Sequence, residues 1–224
     1  MQTEPYIQPL HAPIANPILC IVGPTGAGKT HLAMSLAQYA QSIGKTIELI
    51  SMDSALVYRG LDIGSAKPSK AEQATVIHHL IDILEPTQVY SAARFANDAN
   101  RLCHEINQRG HIPVVVGGTM LYWRAWAFGL SALPTANPDI RLRLDEEGKT
   151  IGWPAMHAKL ALIDPVTAER LKPNDSQRVQ RALEVFEITG KPMSTLLANS
   201  PSDDGREGST IPSWINLVSL EPAD

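Results

Sequence analysis

The chain has 224 residues, 44% of them apolar and 19% charged, with a formal net charge of −4. This is the balance of a folded protein long enough to bury a core, and it excludes a disordered chain and a broadly basic, nonspecific nucleic-acid binder. No apolar run approaches the length of a membrane span, and no Lys or Arg precedes Lys29, so a secretory or transit signal is not expected. The composition reads as that of a cytoplasmic monomer with no membrane partner. Cys20 and Cys103 have no spacing suited to zinc or a redox pair and read as small buried hydrophobes.

In chain order, residues 1–17 with their prolines read as a loose leader, and the apolar run Ile18–Val22 reads as a buried strand. That strand delivers the chain to Gly23-Pro24-Thr25-Gly26-Ala27-Gly28-Lys29-Thr30, which fits the phosphate-loop pattern G-x-x-x-x-G-K-[ST]. A helix is expected from His31 to Ile43, with Leu32, Leu36, Tyr39, Ala40 and Ile43 on one face and Gly44 as its stop. Further strands are expected at Thr46–Ser51, His79–Leu84, Ile112–Val116 and Ile215–Leu220. A helix capped by Ser91, carrying Phe95, Leu102 and Ile106, ends at Gly110. Strands alternating with helices predict a parallel sheet with right-handed crossovers, a P-loop NTPase-like three-layer α/β/α core.

After Phe128 the pattern changes. From Pro138 to Gly190 there is no strand signal, and Asp164-Pro165 and Asn174-Asp175-Ser176 read as helix starts, with a stop at Gly190-Lys191-Pro192. The expected organisation is an α/β core over 18–132 and about 211–224, a small all-helical insertion over about 133–198, and a polar loop at 199–213.

The loop sequence points to phosphate. Glycines let backbone N–H groups converge on an anion, the helix amino end adds partial positive charge, Lys29 adds a full one, and the Thr30 hydroxyl can ligate Mg²⁺. A phosphate loop alone leaves open an ATPase, a kinase or a transferase. The strand Ile112–Val116 ends in Gly117-Gly118-Thr119 and lacks the acid of an ordinary NTPase, whereas Asp53 follows the strand Thr46–Ser51. In a doubly wound sheet that places Asp53 at the end that opens onto the phosphate loop; the plainer reading is a turn cap beside Ser51 and Ser54.

Several ordered motifs resemble the tRNA dimethylallyltransferases, also called tRNA isopentenyltransferases. They are the phosphate loop at 23–30, the run Ser51-Met52-Asp53-Ser54-Ala55-Leu56 through Asp62-Ile63-Gly64-Ser65-Ala66-Lys67-Pro68, His78-His79-Leu80-Ile81-Asp82, and Gly117-Gly118-Thr119-Met120-Leu121-Tyr122. Asn174-Asp175-Ser176-Gln177-Arg178-Val179-Gln180-Arg181-Ala182-Leu183-Glu184-Val185 and Thr189-Gly190-Lys191-Pro192 continue the resemblance, which covers about residues 18–198. It implies transfer of a dimethylallyl group from dimethylallyl diphosphate to N6 of the adenosine beside the anticodon, in tRNAs that read codons beginning with U. It also implies that Asp53 is the general base, that Lys29, Thr30 and Mg²⁺ stabilise the diphosphate, and that the tRNA anticodon stem-loop is the partner. The matching tRNA-contacting positions are Asp53, Ser54, Ala55, Leu56, Thr119, Arg141, Gln177, Arg178, Val179, Gln180 and Arg181.

A helical wheel with Val179, Ala182, Leu183 and Phe186 facing a core puts Gln177 and Arg181 on the opposite side and Arg178 at its flank. The plainer reading of that face is a solvated one paired with Glu184. Trp123, Trp126 and Phe128 read as core packing for at least two of the three, with base stacking or a prenyl channel as the alternative. His78 and His79 are adjacent in a strand and point to opposite faces, so a shared metal is not expected. Family members continue through a further helical region with an Arg-bearing motif, so the sequence is read as truncated at its C-terminus; Arg94 and Ser65 also depart from the family pattern. A P-loop kinase and a remnant that binds diphosphate or RNA without turnover stay open as alternatives.

Overall fold

The computed structural model describes residues 17–129, 133–198 and 210–222. Among them, 17–129 with 210–222 form one compact unit and 133–198 a second. The leader at 1–16 and most of the loop expected at 199–213 lie outside the described residues.

The first unit is built on five parallel strands: β1 (Ile18–Val22), β2 (Ile47–Met52), β3 (Ile77–His79), β4 (Ile112–Gly117) and β5 (Ile215–Ser219). Their spatial order is β3-β2-β4-β1-β5, so β4 lies between β1 and β2. Strands covered on both faces read as unbroken apolar runs, and Cys20, Ile21, Ile50 and Val115 are fully buried. Both cysteines are free and buried, as the sequence predicts, and burial pushes their thiols up.

Helix α1 (Lys29–Ser42) follows the phosphate loop but buries a different face from the one its larger residues suggest. Ala33, Ala37 and Ala40 are buried, whereas Tyr39 is 66% and Ile43 58% exposed. Small side chains one turn apart let the helix approach Ile21, Leu49 and Val114 closely, with Leu32 and Leu36 filling the margin. Helix α2 (Lys70–Thr75) carries no apolar period; its signal is the reciprocal cap between Ser69 and Glu72. Helix α3 (Ala92–Gln108), capped by Ser91, buries Phe95, Leu102 and Ile106 and packs on α4 (Met120–Phe128). Trp123 and Trp126 of α4 are buried, and Trp126 Nε1 donates to Asn100 Oδ1 at 2.9 Å.

The strand expected at His79–Leu84 is corrected: β3 ends at His79. Leu80 and Asp82 take left-handed φ values of 64° and 55°, which no strand continues through. The backbone of this stretch instead donates to the chain after β2, Asp82 N–H to Leu56 O at 3.0 Å and Ile83 N–H to Val57 O at 2.9 Å. The Lys67 ammonium, 2.6 Å from Asp82 Oδ1, holds the turn.

The second unit packs α5 (Pro138–Ile151), α6 (Trp153–Ile163), α7 (Pro165–Arg170), α8 (Ser176–Thr189) and α9 (Met193–Ala198) around Leu144, Met156, Leu160, Val179 and Leu183. Asp164 and Asp175 cap α7 and α8, and Gly190 ends α8 at φ 68°, as their sequence positions predict. Asp164 is fully buried, its carboxylate accepting from Thr167 N–H at 3.0 Å and Ser194 N–H at 2.9 Å.

One buried charge braces the sheet at the end away from the phosphate loop. Glu48 on β2 is 1% exposed and accepts from Arg109 Nη2 at 2.8 Å, His79 Nε2 at 2.6 Å and His111 Nδ1 at 2.6 Å. Burial alone would push this carboxyl up; the hydrogen bonds from Arg109, His79 and His111 outweigh it and hold it down at about 2. A carboxylate with a depressed folded pKa adds stability that is present above its ordinary value of 4.5 and is lost as pH falls towards 2. Glu48→Gln is expected to cost about 1.5 to 3 kcal/mol at neutral pH. Urea denaturation across pH should show the gap between wild type and variant closing in that acid window.

Candidate active site

The register of three neighbouring strands builds the site. Val22 and Met52 both pair with Gly117, so β1, β4 and β2 end at the same level. With strands about 4.8 Å apart, the segments leaving β1 and β2 start about 10 Å from each other, with the Gly117-Gly118-Thr119 turn between them. Those segments are the phosphate loop and Asp53. A Cβ on Gly117 would lie 2.0 Å from Met52 O, so only glycine permits this approach.

The loop is shaped for an anion at the amino end of α1. Gly28 caps the helix in the left-handed region at φ 81°, with no side chain in the way. Lys29 Nζ folds back to donate to Pro24 O at 2.7 Å, which keeps the ammonium over the loop. Burial pushes the Lys29 ammonium down from its ordinary value, and the Asp53 carboxylate partly offsets that. The two residues therefore feel one another's charge.

Asp53 is both a turn cap and a wall of the cleft. Its Oδ1 accepts from Ala55 N–H at 2.8 Å and Leu56 N–H at 3.4 Å, the local cap that the sequence allows. Among the described residues no hydrogen bond reaches Oδ2. Thr119 supports the turn from β4: its Oγ1 accepts from Ser54 N–H at 3.0 Å, and its own N–H donates to Met52 O at 3.3 Å. A cleft of about 800 Å³ is lined by Thr25, Lys29, Thr30, Asp53 and Leu56 among others.

Lys67 is a part of the site to which the sequence reading assigns no role. It lines the cleft, its side chain is 4% exposed, and its ammonium meets Asp62 Oδ1 at 2.7 Å, Asp82 Oδ1 at 2.6 Å and Tyr58 O at 2.9 Å. Burial alone would lower its pKa; the two carboxylates outweigh burial and raise it. Lys67 thus braces the wall between Tyr58 and Pro68. No local pattern links it to Asp82, fifteen positions on, because that pairing exists only after the chain turns at Leu80.

The helical unit holds the other candidate positions, and they differ in accessibility. Gln177 and Arg178 are exposed at the start of α8, Arg178 Nη1 donating to Asp175 at 2.6 Å. Gln180 donates to Arg141 O at 3.0 Å and Asp145 Oδ1 at 2.7 Å. Val179 is fully buried in the apolar core, on the face where the helical wheel puts it. The reading of Glu184 as part of a solvated face is corrected. Glu184 is fully buried, because Arg141 and Arg181 close over it.

Residues 56–219 match the family model described as IPP transferase. The chain belongs to the IPP transferase family. It is 83% identical to the tRNA dimethylallyltransferase of Polynucleobacter asymbioticus, over all of this chain and 67% of that relative. It is 53% identical to that of Leptothrix cholodnii, over 94% of this chain and 63% of the relative. The chain thus spans about two thirds of the length of these relatives. Among solved structures it resembles a eukaryotic dimethylallyltransferase described as acting on tRNA, with 27% identity and a TM-score of 0.71 over 93% of this chain and 49% of that one.

For this IPP transferase family chain, the strand-end geometry makes Gly117→Ala a sharp test. The added methyl must push Met52 and Asp53 away from the loop, at a cost of at least about 2 kcal/mol. A thermal melt should show a lower midpoint and a smaller upward shift on adding inorganic pyrophosphate with MgCl₂.

Proposed function

We propose that the chain transfers a dimethylallyl group from dimethylallyl diphosphate to N6 of the adenosine beside the anticodon, in tRNAs that read codons beginning with U. The observation that carries this reading is one cleft lined by both the phosphate loop and Asp53. Membership of the IPP transferase family and the name of the 83% identical relative support the substrate class. The kinase alternative lacks support, since β4 ends at Gly117 and runs into Gly118-Thr119 with no acid. We read the core unit as the catalytic part and the helical unit as a contributor of RNA contacts. Among the described residues no helix is long and apolar enough to cross a membrane; the free buried cysteines suit a reducing, cytoplasmic setting.

In this mechanism the loop N–H groups and Lys29 grip the diphosphate and stabilise the charge that develops on it. The amine lone pair forms the N6–carbon bond as the allylic carbon–oxygen bond breaks, and diphosphate leaves with the bonding pair. An exocyclic amine is a weak nucleophile because its lone pair is delocalised into the ring. The Asp53 carboxylate takes the amine proton through Oδ2, while Oδ1 stays anchored by Ala55. Thr119 keeps the Asp53 turn in place through Ser54.

The residues present fit a divalent cation of the Mg²⁺ type. Thr30 offers a hard oxygen donor in the cleft, and among the described residues no three His, Cys, Asp or Glu side chains converge as a metal cage. Mg²⁺ characteristically uses few protein ligands and completes its shell with phosphate and water. When bound, it would supply charge neutralisation for the departing diphosphate, with Thr30 as its protein ligand.

Incubation of the chain with dimethylallyl diphosphate, MgCl₂ and an anticodon stem-loop should yield an N6-modified adenosine by mass spectrometry. Asp53→Asn keeps the turn-capping oxygen and should slow turnover about 10²- to 10⁴-fold, with pyrophosphate binding retained. Unchanged turnover in that variant would remove Asp53 from the base role. Ligand binding without product in the wild type would make the chain a non-catalytic binder.

A further inference from the structure

The helical unit carries a charged cluster that its packing does not require. Leu144, Val179 and Leu183 already join α5 to α8 through the apolar core, yet Glu184 is buried completely between two arginines. Its Oε1 accepts from Arg141 Nε at 3.0 Å and Asn137 N–H at 2.7 Å, and its Oε2 accepts from Arg141 Nη2 at 3.1 Å and Arg181 Nη1 at 2.6 Å. Arg181 Nη2 is fixed separately by Pro134 O at 2.6 Å. Burial would push the Glu184 carboxyl up, but Arg141, Arg181 and Asn137 outweigh it and hold it below the usual carboxylate range.

The two arginine side chains are not fully buried with it. Arg141 keeps 43% and Arg181 27% of its side chain exposed, whereas Glu184 keeps none. One carboxylate shared by two guanidiniums leaves the cluster a net positive charge, and each guanidinium keeps N–H donors that Glu184 does not use. A planar fork held in one orientation matches a phosphate and loses little side-chain entropy on gripping it. Flexible surface arginines would have to be ordered first.

We infer that Glu184 is a positioning residue for RNA binding: it locks Arg141 and Arg181 into a preformed two-arginine clamp for a backbone phosphate. This inference rests on the reading that the chain acts on tRNA. It makes Glu184, an acid, a promoter of binding to a polyanion. That is opposite in sign to simple electrostatics, which has any removed carboxylate favour RNA.

The sign is what the experiment reads. Binding of a fluorescently labelled anticodon stem-loop should be measured for wild type and Glu184→Gln, alongside thermal melting, kcat, and KM for RNA and for dimethylallyl diphosphate. The expected result is stem-loop affinity weaker by about tenfold, the loss of about one charge-assisted contact. KM for RNA should rise in step, while kcat and KM for dimethylallyl diphosphate hold. Tighter or unchanged stem-loop binding by folded Glu184→Gln would overturn the inference, and unaltered prenyl transfer alongside it would leave the proposed function standing.

Should Glu184→Gln not fold, Arg141 decides. Arg141→Ala leaves Glu184 paired with Arg181 and should reduce the slope of log affinity against log salt by about one, with Arg141→Lys failing to restore wild-type affinity. An unchanged slope would overturn the clamp. Wild-type chain that binds no stem-loop would overturn it as well, and absence of product in the same sample would take the proposed function down separately.

Discussion

The level ending of β1, β4 and β2 is the constraint on which the rest of the site depends. Val22, Gly117 and Met52 lie side by side, and the segments that carry Lys29, Thr30, Asp53 and Thr119 leave from those three points. A one-residue slip of β4 would turn every side chain of that strand to the other face and carry Thr119 away from Ser54. Gly117 is the residue that tolerates no alternative, because the Met52 carbonyl occupies the place of its missing side chain. The sheet therefore sets the distance between the 23–30 loop and the Asp53 carboxylate, and the loops only finish it.

Buried carboxylates recur as points that tie separate stretches of chain together. Glu48 joins β2 to His79, Arg109 and His111; Asp164 ties the start of α7 to Ser194; Glu184 gathers Asn137, Arg141 and Arg181. In each case a charge that would be costly alone is matched by several donors. In each case at least one donor comes from a distant stretch of chain: His79 and Arg109 for Glu48, Ser194 for Asp164, Arg141 for Glu184. Asp164 holds backbone N–H groups, whereas Glu48 and Glu184 hold side chains that stay partly exposed.

The cleft owes its other wall to a similar device of opposite sign. Lys67 is the buried cation, and Asp62, Asp82 and the Tyr58 carbonyl surround it. This network meets the chain at the left-handed backbone of Asp82, three residues past the end of β3. It also links the second half of the Ser51–Pro68 motif to the Asp82 motif, two stretches that resemble the family separately and meet in space.

The phosphate loop, the strand before it, the caps at Ser91, Asp164 and Asp175 and the stop at Gly190 were legible in the residues themselves, because each is made within a few positions of chain. Asp53 was legible too, once a parallel sheet was inferred, since strand order alone sends it to the loop's end. What the residues could not show was the partner of each charge. Whether Glu184 met water or Arg141, whether Lys67 met Asp82, and whether α1 turned its alanines or its larger side chains inward depended on contacts between distant stretches. Such pairings are set by register and packing, which no local spacing encodes; only the tertiary structure decided them.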